Sequence, residues 1–571
     1  MQTYTYDCVV IGTGAAGYNA AIRLKELGVN VAIVTEGVNC GTSRNTGSDK
    51  QTYYKLGISG DRPDSVYKMA KNLFDGGSVD GDNALCEAAL SARCFMNLCE
   101  LGVPFPVNRY GEYVGYKTDN DPYERATSAG PLTSKFMTEC LQKKAEGLKI
   151  QAYDGHYAVQ VLKHDDRVCG LLCICDGEFV AFRCADIVMA TGGPAGIYAD
   201  SVYPECHTGT TGLAIKAGAK MQNLALWQYG LSSVSPRWNV SGTYMQVLPR
   251  LVSVDAEGRE YDFLFDYFDN PYEALSLLFL KGYQWPFDPK KAENGSSLVD
   301  MLVYRERVEK NRRVYLDFSQ NPFPIDFTRL SEEAYTYLSK AQATFGTPIE
   351  RLAKMNTPAI ELYKSKGVDL YTEYLEIALC AQHNNGGIAV DMWWQTSVKG
   401  LFAVGECAGT HGISRPGGSA LNAGQVGSLR AAQYIAQHPN ESTDESIFQR
   451  LLLDVRRETP TDAAAKIKEA QRRMSDNAAA VRDADKIKAT LQITLNELET
   501  ATDPRLSDTL ITQAAVLTAM SQPNADPGKV QEVVFTANGF EVNVRPVRPI
   551  PNDDAFFENV WRGYRENQNI Y

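Results

Sequence analysis

Cysteine is present but unorganised. The 571-residue chain carries 13 cysteines, none in Cys-x-x-Cys or Cys-x-x-Cys-His spacing. Iron–sulfur clusters and covalently attached c-type haem need such clustered thiols, which argues against either in this chain. Cys169, Cys173 and Cys175 fall in an alternating strand pattern with no second cluster, so the thiols read as small buried hydrophobes. No metal-ligand spacing stands out, and no resident metal is expected. Histidine is scarcer. Any imidazole chemistry must choose among His156, His164, His207, His383, His411 and His438. No apolar run approaches the roughly 18–20 residues of a membrane span. The start, Met1-Gln-Thr-Tyr-Thr-Tyr-Asp7, lacks the basic stretch and apolar core of a signal peptide. Positive charge is in deficit, 57 Lys and Arg against 69 Asp and Glu for a net −12. An electrostatic grip on nucleic acid or anionic membrane is therefore not expected. The expectation is a cytoplasmic protein of several domains.

What is there begins with a βαβ unit. Asp7-Cys-Val-Val-Ile-Gly12 is a short apolar run of the buried parallel-strand kind, Tyr18 to Leu27 reads as a helix ended by Gly28, and Val31 to Thr35 is a second buried strand. Between the first strand and the helix stands Gly12-Thr-Gly14-Ala-Ala-Gly17. The first glycine permits a tight turn, the second lets backbone approach a pyrophosphate, and the third lets helix and strand pack. Glu36 lies 24 positions beyond Gly12 (36 − 12), at the strand end where a carboxylate can accept from ribose hydroxyls.

Three later segments favour FAD over NAD. Gly41-Thr-Ser43-Arg-Asn-Thr-Gly47-Ser48 is a small, polar loop close after Glu36. An antiparallel meander expected over about 149–189 returns to a buried strand ending in Ala190-Thr-Gly-Gly193. Gly400-Leu-Phe-Ala-Val-Gly405-Glu406 is followed by Arg415-Pro-Gly-Gly-Ser419-Ala-Leu, a Gly-rich turn opening a helix. Such a helix N-terminus suits negative charge on a reduced flavin. Residues beyond Asn440 turn Ala-, Arg-, Lys- and Glu-rich with helical periodicity over Ala463–Thr500, and the tail after Pro523 reads as irregular.

On these motifs the chain resembles the flavoprotein subunits of succinate dehydrogenases and fumarate reductases, together with aspartate oxidase. The likeness is strongest over 7–48, 186–230 and 380–435. It implies an α/β protein: a Rossmann-like FAD-binding domain (1–204 and 371–440), an inserted α+β capping domain (205–370), and a C-terminal helical domain with tail (441–571). It carries the FAD-binding set onto Gly12, Gly14, Ala15, Ala16, Gly17, Thr35, Glu36, Thr42, Ser43, Gly47, Ser48, Ala158, Ala190, Thr191, Gly192, Gly405, Glu406, Gly418, Ser419, Ala420 and Leu421. It also places Arg415, in His411-Gly-Ile-Ser-Arg-Pro, where the family binds a substrate carboxylate.

The active-site match is partial. Gly230-Leu-Ser stands where the family has His-Pro-Thr. In Gln382-His383-Asn-Asn-Gly386-Gly387 the histidine is one place late, with Gln382 in its register position. No arginine occurs between Arg259 and Arg305, so the family's proton-donating arginine has no counterpart; the cap offers aromatics instead. The segment Cys40-Gly-Thr-Ser-Arg lacks the histidine used for covalent flavin attachment, so the FAD is expected to be non-covalent. The sequence thus points to an FAD-dependent oxidoreductase of a small, anionic molecule, reducing a carbon–carbon double bond beside a carboxylate-like group, with fumarate itself disfavoured. Arg415 is the expected anchor, and His383, His411, Tyr229, Tyr283 and Asp49 are the candidate acid–base groups. Electrons would come from a donor protein or a free reduced flavin. The alternatives are an amino- or hydroxy-acid oxidase of aspartate-oxidase type and a flavin electron-transfer subunit.

Overall fold

The architecture comes from a computed structural model that describes residues 1–440, 443–454, 463–523, 525–552 and 555–567. Its centre is a five-stranded parallel sheet in the order Leu401–Ala403, Asp186–Met189, Cys8–Ile11, Val31–Val34, Gln151–Tyr153. The inner strands are buried along their whole length, as the unbroken apolar runs dictate for a sheet covered on both faces. The meander Tyr157–His164, Arg167–Cys175 and Glu178–Arg183 forms a second sheet, joined in parallel by Gln2–Thr5.

Helix Ala15–Glu26 follows the first glycine turn, and helix Ser419–Gln437 packs along it. Their contact is close because small residues meet: a Cβ on Gly424 would lie 3.4 Å from the Ala16 methyl. Side chains of the second helix satisfy backbone of the first. Gln425 Nε2 donates to Ala15 O at 3.1 Å and Ser428 Oγ to Ala16 O at 2.8 Å. This pairing holds the two glycine turns, 400 residues apart in the chain, at one end of the sheet.

The cap is a six-stranded antiparallel sheet in the order Trp238–Asn239, Trp227–Ser233, Leu375–Asn384, Arg313–Asp317, Arg250–Val254, Glu260–Tyr261, with its own apolar core. Strand Leu375–Asn384 belongs to this sheet although it lies past residue 370. Residues 221–222, expected within the cap, instead pair with Gly387–Ile388 and Lys529–Thr536. Beyond Asn440 come helices Ala464–Asn477, Ala484–Thr500 and Pro504–Met520.

One expectation is corrected here. The tail after Pro523 is not irregular: Lys529–Thr536 and Gly539–Pro546 form a hairpin closed at Gly539, whose φ is +101°. Alternate residues such as Val530 and Val533 are buried, but the run is flanked by prolines that masked the pattern. Charge fixes the hairpin. Arg545 grips Asp80 with two bonds of 2.8 Å, and Arg548 Nε donates to Asp82. Burial opposes ionisation of Asp80, yet these arginines hold its carboxyl below the ordinary range.

Gly17 is the tightest point of the first turn, since an added Cβ would stand 2.0 Å from Gly12 O. Gly17→Ala therefore forces helix and strand apart, at a cost of about 3 kcal/mol by analogy with overpacked cores. The expected result is a lower urea midpoint together with less flavin retained on purification; an unchanged midpoint contradicts this packing.

Candidate active site

A single cleft runs from the carboxyl ends of the parallel strands to the underside of the cap. Its floor includes Gly12, Gly14, Ala15, Ala16, Thr35, Glu36, Thr42, Ser43, Gly47, Ser48, Ala158, Ala190, Thr191, Gly192, Gly405, Glu406, Gly418, Ala420 and Leu421. The structure brings these expected cofactor residues together. Gly17 and Ser419 are not among the lining residues, and the Ser419 hydroxyl is buried with no partner among the described residues.

Backbone geometry shapes the cleft. Gly12 has φ +109° and lies so close to the next strand that a Cβ would stand 2.5 Å from Ala190 O. Helix Ala15–Glu26 starts at Gly14, which has no side chain to cap it. Ser43 Oγ accepts the Ala15 N–H at 3.3 Å, and other N–H groups of the first turn stay open to the cleft, the arrangement that binds a diphosphate. Helix Ser419–Gln437 likewise starts uncapped after Gly418, whose φ is +87°. Glu36 already accepts from Thr208 Oγ1 and Arg505 Nη1, both at 2.6 Å, which fixes its carboxylate at the cleft edge. Burial pushes Glu406 up to about 8, against the pull of Arg415 and of the Asn384 and Gly193 N–H groups.

Several buried polar atoms on this wall lack a partner among the described residues: Gln382 Oε1, His383 Nε2, Arg415 Nε and Gln425 Oε1. Such atoms are costly unless a ligand pairs them. A long dinucleotide with polar edges along its length fits that set. Gly12 to Ala16 would meet its diphosphate, Glu36 a ribose, and Glu406 with the Gly418 turn the flavin end.

At the cap end stand His383 and Arg415. Strand Leu375–Asn384 carries a bulge: Gln228 pairs with His383 and Tyr229 with Ala381, leaving Gln382 as the extra residue. A bulge re-aims a side chain, and here both Gln382 and His383 line the cleft. The one-residue shift in the sequence thus still delivers its histidine. His383 Nδ1 lies 3.0 Å from Asn385 Oδ1, so we assign it the proton, leaving the Nε2 lone pair 3.8 Å from Glu406. Burial, then the Arg415 cation and His411, hold this imidazole well below its ordinary pKa. His411 packs 4.9 Å from it, ring to ring, and burial brings it down to about 3. Both rings are neutral near pH 7.

Arg415 makes no hydrogen bond or ion pair through its guanidinium among the described residues. Burial lowers it to about 10, while Glu406 and Glu87 act from a distance to keep it charged. Its backbone is tied down, since Asn120 Nδ2 donates to Arg415 O at 3.1 Å.

The other acid–base candidates lie elsewhere. Asp49 is buried under the cap, where its carboxylate accepts the Thr243 N–H at 2.9 Å and the Thr243 hydroxyl at 3.2 Å. Tyr229 is turned into the core, its hydroxyl 3.2 Å from that of Tyr198. Tyr283 is on the surface, bonded to Glu333. From the same aromatic run it is Trp285 and Pro286 that reach the cleft. Sequence reasoning also missed Asn239, Ser241, His207 and Asp119 on the wall. His207 bridges Thr42 Oγ1 and Gly193 O, at 3.0 and 2.8 Å. No motif marks these residues.

A family model described as the FAD binding domain matches residues 7–421. The fumarate reductase (CoM/CoB) of Methanothermobacter marburgensis contains a chain that is 26% identical over 459 residues, covering 78% of this protein and 75% of that one. L-aspartate oxidase 2 of Ralstonia nicotianae is 23% identical over 474 residues, covering 80% and 76%. The E. coli quinol fumarate reductase FrdA superposes with a TM-score of 0.71 at 19% identity, covering 97% of this chain and 98% of that one, a likeness of fold. The matched span includes nearly the whole cleft, so the chain belongs to the FAD-binding flavoprotein family of the succinate dehydrogenases and fumarate reductases and is an FAD-dependent oxidoreductase.

Proposed function

We propose that this flavoprotein reduces a carbon–carbon double bond beside a single carboxylate, in a substrate whose remainder is apolar and planar rather than a second carboxylate. One observation carries the reading: among the described residues that line the cleft Arg415 is the only lysine or arginine, and its guanidinium is unpaired. A guanidinium fork binds both oxygens of one carboxylate. The rest of the lining includes Gln382, Trp285 and Pro286 and no second lysine or arginine, so a second carboxylate such as fumarate's would be buried without a counter-charge. The flat indole suits a ring or a hydrocarbon tail.

FAD, when bound, supplies hydride transfer at flavin N5. The chain's own contributions are position and charge. Arg415 fixes the carboxylate, so the carbons to be reduced lie at a set distance from the anchor. Neutral His383 offers Nε2 as an acceptor only. The open end of helix Ser419–Gln437 favours negative charge at the flavin edge. Binding is non-covalent in this reading, because the segment Cys40-Gly-Thr-Ser-Arg44, where the family attaches its flavin, carries no histidine. Electrons come from outside the chain, through a partner protein or free reduced flavin.

Three outcomes are expected. In an anaerobic stopped-flow experiment, chemically reduced holoenzyme is reoxidised by aryl or alkyl acrylates faster than by fumarate. Rapid reduction of the oxidised enzyme by aspartate or a hydroxy acid, with no acrylate turnover, would overturn the reading. Arg415→Gln is expected to keep its flavin and lose about 100-fold or more in acrylate affinity, matching loss of a charged hydrogen-bonded pair at roughly 3 kcal/mol; Arg415→Lys recovers only part of it. Acid precipitation is expected to leave all the flavin in the supernatant, and yellow pellets would show covalent attachment.

A further inference from the structure

We propose that Asp119 is the proton donor of this cleft. The inference rests on the alkene-reduction reading above and names the acid that the reading lacks. Asp119 lines the same cleft as Arg415, His383 and Trp285. Its segment is zipped to the Arg415 turn: Gly417 N–H donates to Asp119 O at 3.1 Å, and Asn120 Nδ2 donates to Arg415 O at 3.1 Å. A Cβ on Gly417 would stand 2.2 Å from Thr118 Oγ1, so the two segments have no room to slide. The carboxyl and the anchoring guanidinium are therefore carried by one rigid unit.

The side chain is also unoccupied by the protein. Among the described residues no hydrogen bond or ion pair holds the Asp119 carboxyl; the nearby cation Lys281 is spent on Asp300, at 2.7 Å. The rival donors are committed. His383 has its proton toward Asn385, Asp49 caps the Thr243 turn, and the Tyr229 and Tyr283 hydroxyls point elsewhere. Glu406, pushed up to about 8 by burial, holds its proton more tightly than a group near 6, and its carboxyl is engaged at the flavin end by the Asn384 N–H and by His383 Nε2 at 3.8 Å.

The surroundings tune the group for the task. Burial pushes Asp119 up to about 6, with Lys291 and Lys281 of the cap pulling the other way. Tyr283 acts on it from the cap, and the Arg415 backbone oxygen is tied to the next residue, Asn120. A carboxyl in that range is part-protonated near neutral pH and still gives up its proton readily.

The step balances. The Asp119 O–H bond breaks and its proton forms a C–H bond at the carbon next to the substrate carboxylate, using the electron pair of the double bond. The hydride supplied by the reduced cofactor completes the other carbon. The substrate gains two electrons and two hydrogens, the cofactor is oxidised, and Asp119 is left as carboxylate until water reprotonates it.

The test uses flavin-loaded wild type, Asp119→Asn and Asp119→Glu. Reoxidation of reduced enzyme by cinnamate is expected to fall about 10²–10⁴-fold in Asp119→Asn and to recover in part in Asp119→Glu, with flavin content unchanged. A second readout is independent of turnover: the affinity of oxidised enzyme for 3-phenylpropanoate, from flavin absorbance. In wild type it should weaken as pH rises through about 6, because ionised Asp119 repels the anion, and in Asp119→Asn that dependence should vanish. Asp119→Asn turnover within threefold of wild type, or an unchanged pH dependence of binding, overturns the assignment. If no acrylate reoxidises the wild type, the alkene reading itself falls and the donor with it.

Discussion

A guanidinium sunk in a protein wall without a partner is the constraint around which this site is built. Moving an unpaired charge out of water costs several kcal/mol unless something answers it. Arg415 is answered only at a distance, by Glu406 and Glu87. Glu87 is itself buried, bonded to the Thr410 hydroxyl at 2.8 Å, with burial pushing it up to about 8. Burial, and after it the same cation, keeps His383 and His411 neutral. An arriving carboxylate therefore meets a ready positive field, neutral acceptors and no competing counter-ion. In the proposed reading, selectivity for anions follows from what the wall leaves unpaired.

The fold exists to hold that wall rigid. The Arg415 turn opens helix Ser419–Gln437, which is welded to the first helix through Gln425 and Ser428. The cap supplies the facing surface from strands Trp227–Ser233 and Leu375–Asn384 and from the Trp285 loop. Lys281 donates to Gln284 O and Trp285 O while paired with Asp300, so a buried ion pair fixes the aromatic side of the cleft. The C-terminal hairpin is gripped at Asp80 by Arg545, and Arg548 just beyond it holds Asp82.

Much of this was legible in the chain. The glycine turns could be read because a diphosphate and a close backbone crossing demand glycine at fixed offsets, and Gly12 and Gly17 stand where a Cβ would collide. Arg415 could be read because its motif is local. What was not legible depends on contacts between distant segments. The bulge at Gln382 arises from pairing with residues 150 positions away, and it converts an apparent misalignment into a histidine on the wall. Tyr229 and Tyr283 were plausible acids by type, but alternation along a strand turned one inward and a surface carboxylate took the other. Asp119 carries no motif at all; only its backbone bond to Gly417 reveals its place.

The central claim, that an unpaired buried cation selects one carboxylate, is open to a direct measurement. Titration of oxidised holoenzyme with 3-phenylpropanoate and with its uncharged amide, followed by perturbation of the flavin absorbance, compares two ligands of nearly equal shape. The account expects the carboxylate to bind about 100-fold or more tightly, a difference of roughly 3 kcal/mol. Equal affinity for acid and amide would contradict it.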